Sequence, residues 1–96
     1  MGVILKDCSI SNDIMKNIYK QIGLNVKKRR EEKGLSQLEL SLAIGHKSVG
    51  TISMAEICIK NKHFNIEHLC KIADVLEVNV CEFFPHSIFL QAKEDI

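Results

Sequence analysis

Residues 36–57 read S-Q-L-E-L-S-L-A-I-G-H-K-S-V-G-T-I-S-M-A-E-I and contain two short segments separated by a glycine. Ser36 and Glu39 have the spacing of a capping box, in which each side chain satisfies a backbone N–H at the start of a helix. The pattern predicts a helix from Gln37 to Ile44 that stops at Gly45, because glycine readily adopts the conformation that ends helices. The buried face of this helix is predicted to contain Leu40, Ala43 and Ile44.

The second segment, S-V-G-T-I-S-M-A-E at residues 48–56, is a poor helix former, because glycine and β-branched residues disfavour helix. Propensity alone leaves open a loop, a strand or a weak helix. Its place directly after a capped helix favours a second helix around Val49 to Ile57. Two short helices joined by a tight turn form a helix-turn-helix.

The segment before this stretch is also helical by its pattern. Apolar residues recur every four positions from Ile14 to Val26, which indicates one buried helical face. Ser11 or Asn12 can cap the start of this helix, and Gly34 is placed to end it. Gly23 interrupts the pattern, so the sequence is compatible with one long helix or with two abutting helices.

The segment after the stretch adds two predicted helices. Asn65 begins the first, and Asn79 with Glu82 forms another capping box for a short helix from Val80 to Phe84. The expected fold is therefore all-α, a five-helix domain. Its expected divisions are a partly helical N-terminal extension at 1–20, a helix-turn-helix domain at 21–85 and a short tail at 86–96.

Composition excludes several classes of function. No apolar run approaches the roughly 18 residues of a membrane span, and the N-terminus lacks the features of a signal peptide, so we expect a cytoplasmic protein. The four cysteines and four histidines lack zinc-ligand spacing, which predicts free thiols and no metal or cofactor. No catalytic motif is present, so the chain is not expected to be an enzyme.

The stretch from Ile22 to Phe84 resembles the Cro/lambda-repressor (XRE) helix-turn-helix domain. The resemblance rests on three anchors: I-G-L-N-V-K-K-R-R-E-E-K-G-L-S-Q-L-E-L-S-L-A-I-G at 22–45, T-I-S-M-A-E at 51–56, and I-E-H-L-C-K-I-A-D-V-L-E-V-N-V-C-E-F-F at 66–84. It implies a five-helix DNA-binding domain whose second short helix enters the major groove.

The chain departs from the family pattern around the second short helix. The turn before Thr51 is one residue longer than usual. The Glu-x-Gly that commonly ends this helix is Glu56-Ile57-Cys58 here, and the loop from Ile59 to Phe64 is longer and lacks the usual proline. The helix is therefore expected to run on past Glu56.

The resemblance also implies site residues. On the second short helix and just before it, the residues assigned to DNA contact are Lys47, Ser48, Val49, Gly50, Thr51, Ser53 and Met54. Gln37 matches a family position that contacts the backbone or an adjacent base, and the N-terminus of its helix can hold a phosphate. Phosphate contacts are assigned to Lys27, Lys28, Arg30, Lys60 and Lys62. For Arg30 the alternative is a structural ion pair with Glu56, and Ile57 and Ile59 are assigned to the core or a dimer contact.

The expected function is that of a sequence-specific, double-stranded-DNA-binding transcriptional regulator, a repressor that acts as a homodimer. The dimer surface is expected to use apolar residues outside the core: Val3 to Leu5, Ile14 or Ile18, or Ile88 to Leu90. A restriction–modification control protein, a phage-type repressor and an antitoxin with a toxin partner stay open. A protein-interaction module of the same fold is the alternative from another class, since the net charge of +1 is low for a DNA-binding protein.

Overall fold

The computed structural model describes residues 8–45 and 49–86, and every regular element in these ranges is helical. The expectation of an all-α fold is therefore confirmed. The described ranges contain four α-helices and two short 3₁₀ helices, the latter at Ile59–Asn61 and Val80–Phe83. The α-helices are α1 at Asn12–Glu32, α2 at Gln37–Ala43, α3 at Gly50–Ile57 and α4 at Ile66–Leu76.

Helix α1 is one uninterrupted helix, so the question raised by Gly23 is settled. The Ser11 hydroxyl caps its start by accepting a hydrogen bond from the Ile14 N–H. At its other end Gly34 has φ 76° and the Leu35 N–H donates to the Arg30 carbonyl, the arrangement of a glycine-terminated helix end. The expected division at residue 20 falls within α1, so residues 12–20 belong to the same helix as the start of the domain.

Gly23 is required where α1 crosses α3. A β-carbon built on this residue would lie 2.4 Å from the Glu56 carbonyl oxygen and 2.8 Å from that of Ala55. Such distances are far inside van der Waals contact, so any larger residue would push the helices apart. The glycine that looked like a helix break in the sequence is instead a packing residue.

Helices α2 and α3 form the predicted helix-turn-helix, with one error in the buried face of α2. Leu40 and Ile44 are buried as expected, but Ala43 is exposed and Ser41 is fully buried. At about 100° per residue, Leu40, Ile44 and Ser41 cover one continuous arc, and Ala43 lies beyond Leu40 on the other side. The helix ends at Ala43, one residue earlier than predicted.

The core lies between α1, the helix-turn-helix and α4. Its fully buried members include Val26, Ile52, Ile72 and Phe83. The last predicted helix is a 3₁₀ helix, capped by Asn79 and Glu82 as expected. The fifth helix of the expected fold is thus a single turn, and Asn25 of α1 holds it by donating to the Phe83 carbonyl at 3.0 Å.

The segment after α3 has an unusual backbone. Helix α3 ends at Ile57, so it continues past Glu56 by only one residue. Cys58, Lys60 and Asn61 then have φ values of 54°, 54° and 57°. Non-glycine residues adopt this left-handed conformation at a cost of roughly 1–2 kcal/mol each. The backbone turns sharply here without any glycine.

Candidate nucleic-acid interface

One side of helix α3 packs against the core, and the other side is accessible to solvent. Ile52 is fully buried, and Ala55 and Glu56 are 2 % and 1 % exposed. The predicted contact residues on its other side are partly or largely accessible: Val49, Gly50, Thr51, Ser53 and Met54. The predicted Lys47 and Ser48 lie outside the described residues. The helix therefore presents a surface of small and medium side chains that the core fixes in place.

Two details of α3 limit what this surface can do. The Ser53 hydroxyl donates to the Gly50 carbonyl at 3.2 Å, so its remaining role toward a ligand is that of an acceptor. Val49 precedes the helix without a side-chain cap. Base contacts from α3 would therefore combine the Ser53 hydroxyl as an acceptor and the hydroxyl of the partly accessible Thr51 with apolar contacts.

Ile57 is a further candidate for DNA contact, although the sequence analysis assigned it to the core or a dimer contact. It is 52 % exposed, and Ile59 is 43 % exposed, so neither is a core residue. Ile57 follows Ser53 by four residues and Gly50 by seven, which places all three on one face of the helix. The helical spacing was visible in the sequence, but the apolar side chain suggested burial.

Glu56 joins the three helices that frame this surface. Its carboxylate accepts hydrogen bonds from Arg30 Nε at 2.7 Å and Nη2 at 3.1 Å, and from Gln37 Nε2 at 2.9 Å. Arg30 Nη1 donates to the Leu35 carbonyl at 2.8 Å. The ion pair expected as the alternative for Arg30 is present and is buried, so the expected phosphate contact by this guanidinium is not supported.

The same network orients Gln37. A carboxylate only accepts hydrogen bonds, so the amide nitrogen of Gln37 must face Glu56. The carbonyl oxygen and the second amide hydrogen stay available for a ligand. Gln37 is therefore pre-oriented at the first position of α2, beside the exposed face of α3.

The N-terminus of α2 is occupied by side chains of its own. The Ser36 N–H donates to the Glu39 carboxylate at 2.9 Å, and the Glu39 N–H donates to the Ser36 hydroxyl at 3.0 Å. The backbone and side-chain hydrogen bonds with Ser36 lower the pKa of Glu39 from its ordinary value. A negative charge thus sits where a phosphate was expected, which weakens that expectation.

The cations divide into a paired and an unpaired set. Arg29, Arg30, Lys33 and Lys71 each form an ion pair with a glutamate. For the other described lysines, no described carboxylate lies within 4.0 Å of the ammonium group. This set comprises Lys16, Lys20, Lys27, Lys28, Lys60 and Lys62. The four predicted phosphate-binding lysines are all members of it, and Lys28, Lys60 and Lys62 are exposed.

Within residues 8–45 and 49–86, no group of three or more His, Cys, Asp or Glu side chains is arranged to hold a metal ion. None of the helices in these ranges combines the length and apolar character needed to cross a bilayer. Of the apolar residues expected at a dimer surface, Ile14 is half-buried and Ile18 packs against the core. The others, Val3 to Leu5 and Ile88 to Leu90, lie outside the described residues.

Comparison with known families identifies this architecture. The helix-turn-helix family model HTH_3, which describes Cro/C1-type domains of the XRE family, matches residues 26–83. A search of curated proteins finds no match. The matched range begins within α1 and includes the whole helix-turn-helix and the final 3₁₀ helix, more than half of the chain. The chain is therefore a member of the Cro/C1-type helix-turn-helix family of DNA-binding regulators.

Proposed function

We propose that this protein is a cytoplasmic, homodimeric transcriptional repressor that reads a specific DNA sequence with α3. The observation that carries the proposal is the two-sided character of this helix. Its inner side is fixed by Ile52, Ala55 and Glu56, and its outer side leaves small side chains accessible. A recognition helix must combine these properties, because it has to be rigid and close to the base edges.

The chemistry of the outer side indicates the kind of sequence that would be read. The Ser53 hydroxyl can accept a hydrogen bond from an adenine or cytosine amino group, and Val49, Met54 or Ile57 can contact a thymine methyl group. Among the described residues of α3 there is no Arg, Asn or Gln for a bidentate contact. Gln37 supplies the one amide at this surface, and Glu56 fixes its orientation.

Phosphate contacts would come from the unpaired lysines. Lys27 and Lys28 on α1 and Lys60 and Lys62 after α3 carry charges that no described carboxylate neutralises. Such contacts position a protein on the duplex but do not read its sequence. The low net charge is compatible with DNA binding, because the glutamates in the ion pairs neutralise other cations and leave these four lysines unpaired.

A homodimer is proposed because a single module of this size buries too little surface for tight specific binding. Two copies would contact half-sites about one helical turn apart. The alternative function is a protein-interaction module or an antitoxin with a toxin partner. Its support is the apolar part of the outer side of α3, where Val49 is 38 % and Ile57 52 % exposed.

Selection of bound duplexes from a random DNA pool tests the proposal, followed by affinity measurements at two salt concentrations. We expect an enriched, two-fold symmetric sequence and steeply weaker binding at higher salt. Ser53→Ala should change the preference between sequences, whereas Lys28→Gln should weaken binding to all of them. Lys71→Gln, which removes a charge already paired with Glu67, is the control. Absence of any complex at low salt would refute the proposal.

A further inference from the structure

A groove lies between the N-terminal half of α1 and the segment that follows α3. Its volume is about 470 Å³. One wall is formed by Lys16, Asn17, Tyr19 and Lys20, and the other by Cys58 and residues 60–63. Residues 16–20 precede the range matched by the family model, so this groove is built partly by the extension of α1.

The groove is lined by positive charge. Lys16, Lys20, Lys60 and Lys62 all border it and are exposed, and no acidic residue is among those that line it. In the part of the chain that the structure describes, none of these lysines has a carboxylate within ion-pairing distance. Four like charges around one groove repel one another, so an anion bound there would relieve the repulsion.

Specific contacts hold the two walls together. The Tyr19 and His63 rings are stacked, with centroids 3.8 Å apart and planes 15° from parallel. Lys16 and Lys20 are four residues apart on one helix, so they share a face. Lys60 and Asn61, whose backbone is left-handed, line the opposite wall of the groove. The lysines therefore converge because of tertiary structure and not because they are neighbours in sequence.

We propose that this groove binds phosphate groups of the DNA backbone next to the bases contacted by α3. The inference rests on the proposed function. The wall that contains Lys60 and Lys62 begins directly after α3 ends at Ile57. When α3 lies in the major groove, the residues at its end are next to the adjoining sugar–phosphate strand. Lys16 and Lys20 then extend the phosphate contacts beyond those of the family domain.

A DNA strand suits the groove better than an enclosed small molecule. Lysine ammonium groups act as mobile point charges and lack the fixed two-pronged geometry with which arginine selects individual anions. The groove is open to solvent on the side of its exposed lysines. Repeated phosphates along a strand can satisfy several such charges at once, with release of counterions.

The decisive experiment measures affinity against salt concentration for the full-length protein on its selected duplex. Each phosphate contact contributes about 0.9 to the slope of log affinity against log salt. Lys16→Gln with Lys20→Gln should therefore reduce the slope by up to about 2 for each protomer, or about 4 for the proposed homodimer, and Lys71→Gln, which removes a paired charge on α4, should leave it unchanged. Tight wild-type binding with an unchanged slope in the double variant would overturn the groove assignment and leave the proposed function intact. Failure of the wild type to bind any duplex would refute both.

Two further measurements locate the phosphates. When single phosphates next to the bases contacted by α3 are replaced by neutral methylphosphonates, the difference between wild type and the Lys16/Lys20 double variant should disappear at the phosphates that the groove binds. A difference that persists at every such position would contradict the assignment. Titration of the protein alone with inorganic phosphate tests for a free anion as the occupant. Saturation at micromolar phosphate, together with an unchanged DNA salt slope, would assign the groove to a small anion instead.

Tyr19 provides a test of how the groove is held in shape. Tyr19→Leu removes the stacking partner of His63 and should reduce the salt slope without any change in charge, whereas Tyr19→Phe keeps the ring and should behave like wild type. Thermal unfolding of both variants verifies that they are folded. Equal slopes for the leucine and phenylalanine variants would show that the stack does not position the lysines on DNA.

Discussion

The buried carboxylate of Glu56 offers the sharpest test of the fold. In Glu56→Gln the side chain keeps its shape, but an NH₂ group replaces an oxygen that accepts from Arg30 or Gln37. The Arg30 charge, in a residue 7 % exposed, loses its counter-charge. Breaking one member of a buried pair costs about 3–5 kcal/mol, against a total stability of about 5–15 kcal/mol for a typical domain. We therefore expect the variant to retain only a small part of the free energy of unfolding of the wild type.

Urea unfolding followed by circular dichroism measures this loss. With a denaturant slope of about 1–3 kcal/mol per molar, the midpoint should fall by at least about 1 M. Glu31→Gln, an exposed glutamate on α1, is the control and should change stability by less than about 0.5 kcal/mol. Arg30→Met combined with Glu56→Leu should recover most of the loss, because apolar replacement of a whole buried pair is often neutral. A loss below about 1 kcal/mol for Glu56→Gln would refute this account of the network.

Three further predictions concern α1 and the end of α3. Gly23→Ala places a carbon 2.4 Å from the Glu56 carbonyl oxygen and should lower thermal stability by about 1–3 kcal/mol; a change no larger than that of the exposed control Leu24→Ala would contradict the close crossing. Cys58→Gly relieves a residue with φ 54° and should add about 0.5–1 kcal/mol, or about 2–8 °C in the unfolding midpoint. The same change at Cys70, within α4, should destabilise instead, and a lower midpoint for Cys58→Gly would count against backbone strain. Burial raises the pKa of the Cys58 thiol, with Lys20 opposing, so less thiolate is present at a given pH. A variant with Cys58 as its only cysteine should react with iodoacetamide more slowly than one with only the exposed Cys70, and equal rates would contradict the burial.

Local signals in the sequence were enough to place the helices. The capping boxes at Ser36 and Asn79 and the terminal glycine at Gly34 depend on residues within a few positions of one another, and all three are present in the structure. The first helix of the helix-turn-helix also follows from local pattern, whereas the second was favoured by its place after a capped helix; Leu40 and Ile52 lie on their inner faces.

The sequence pattern did not predict the contacts that Gly23 and Tyr19 make with distant segments of the chain. The role of Gly23 depends on the carbonyl groups of Ala55 and Glu56, which approach it only in the folded chain. The groove depends on the stacking of Tyr19 with His63, and nothing in the spacing of these residues indicates that they meet. The basic run at residues 27–30 does not say which of its cations are paired: the sequence left Arg30 open between a phosphate contact and an ion pair with Glu56, and the structure shows the ion pair.

The hydrogen bond between Gln37 and Glu56 limits how the DNA specificity of such a regulator can change by mutation. A new operator that required a different side chain at position 37 would remove one donor from a buried carboxylate, and stability would fall with it. Val49 and Ile57 project into solvent at opposite ends of α3, so exchanges there leave the core untouched. If copies of this gene acquire new targets, their first substitutions should accumulate at the ends of α3, and the amide at position 37 should be inherited together with the ion pair behind it.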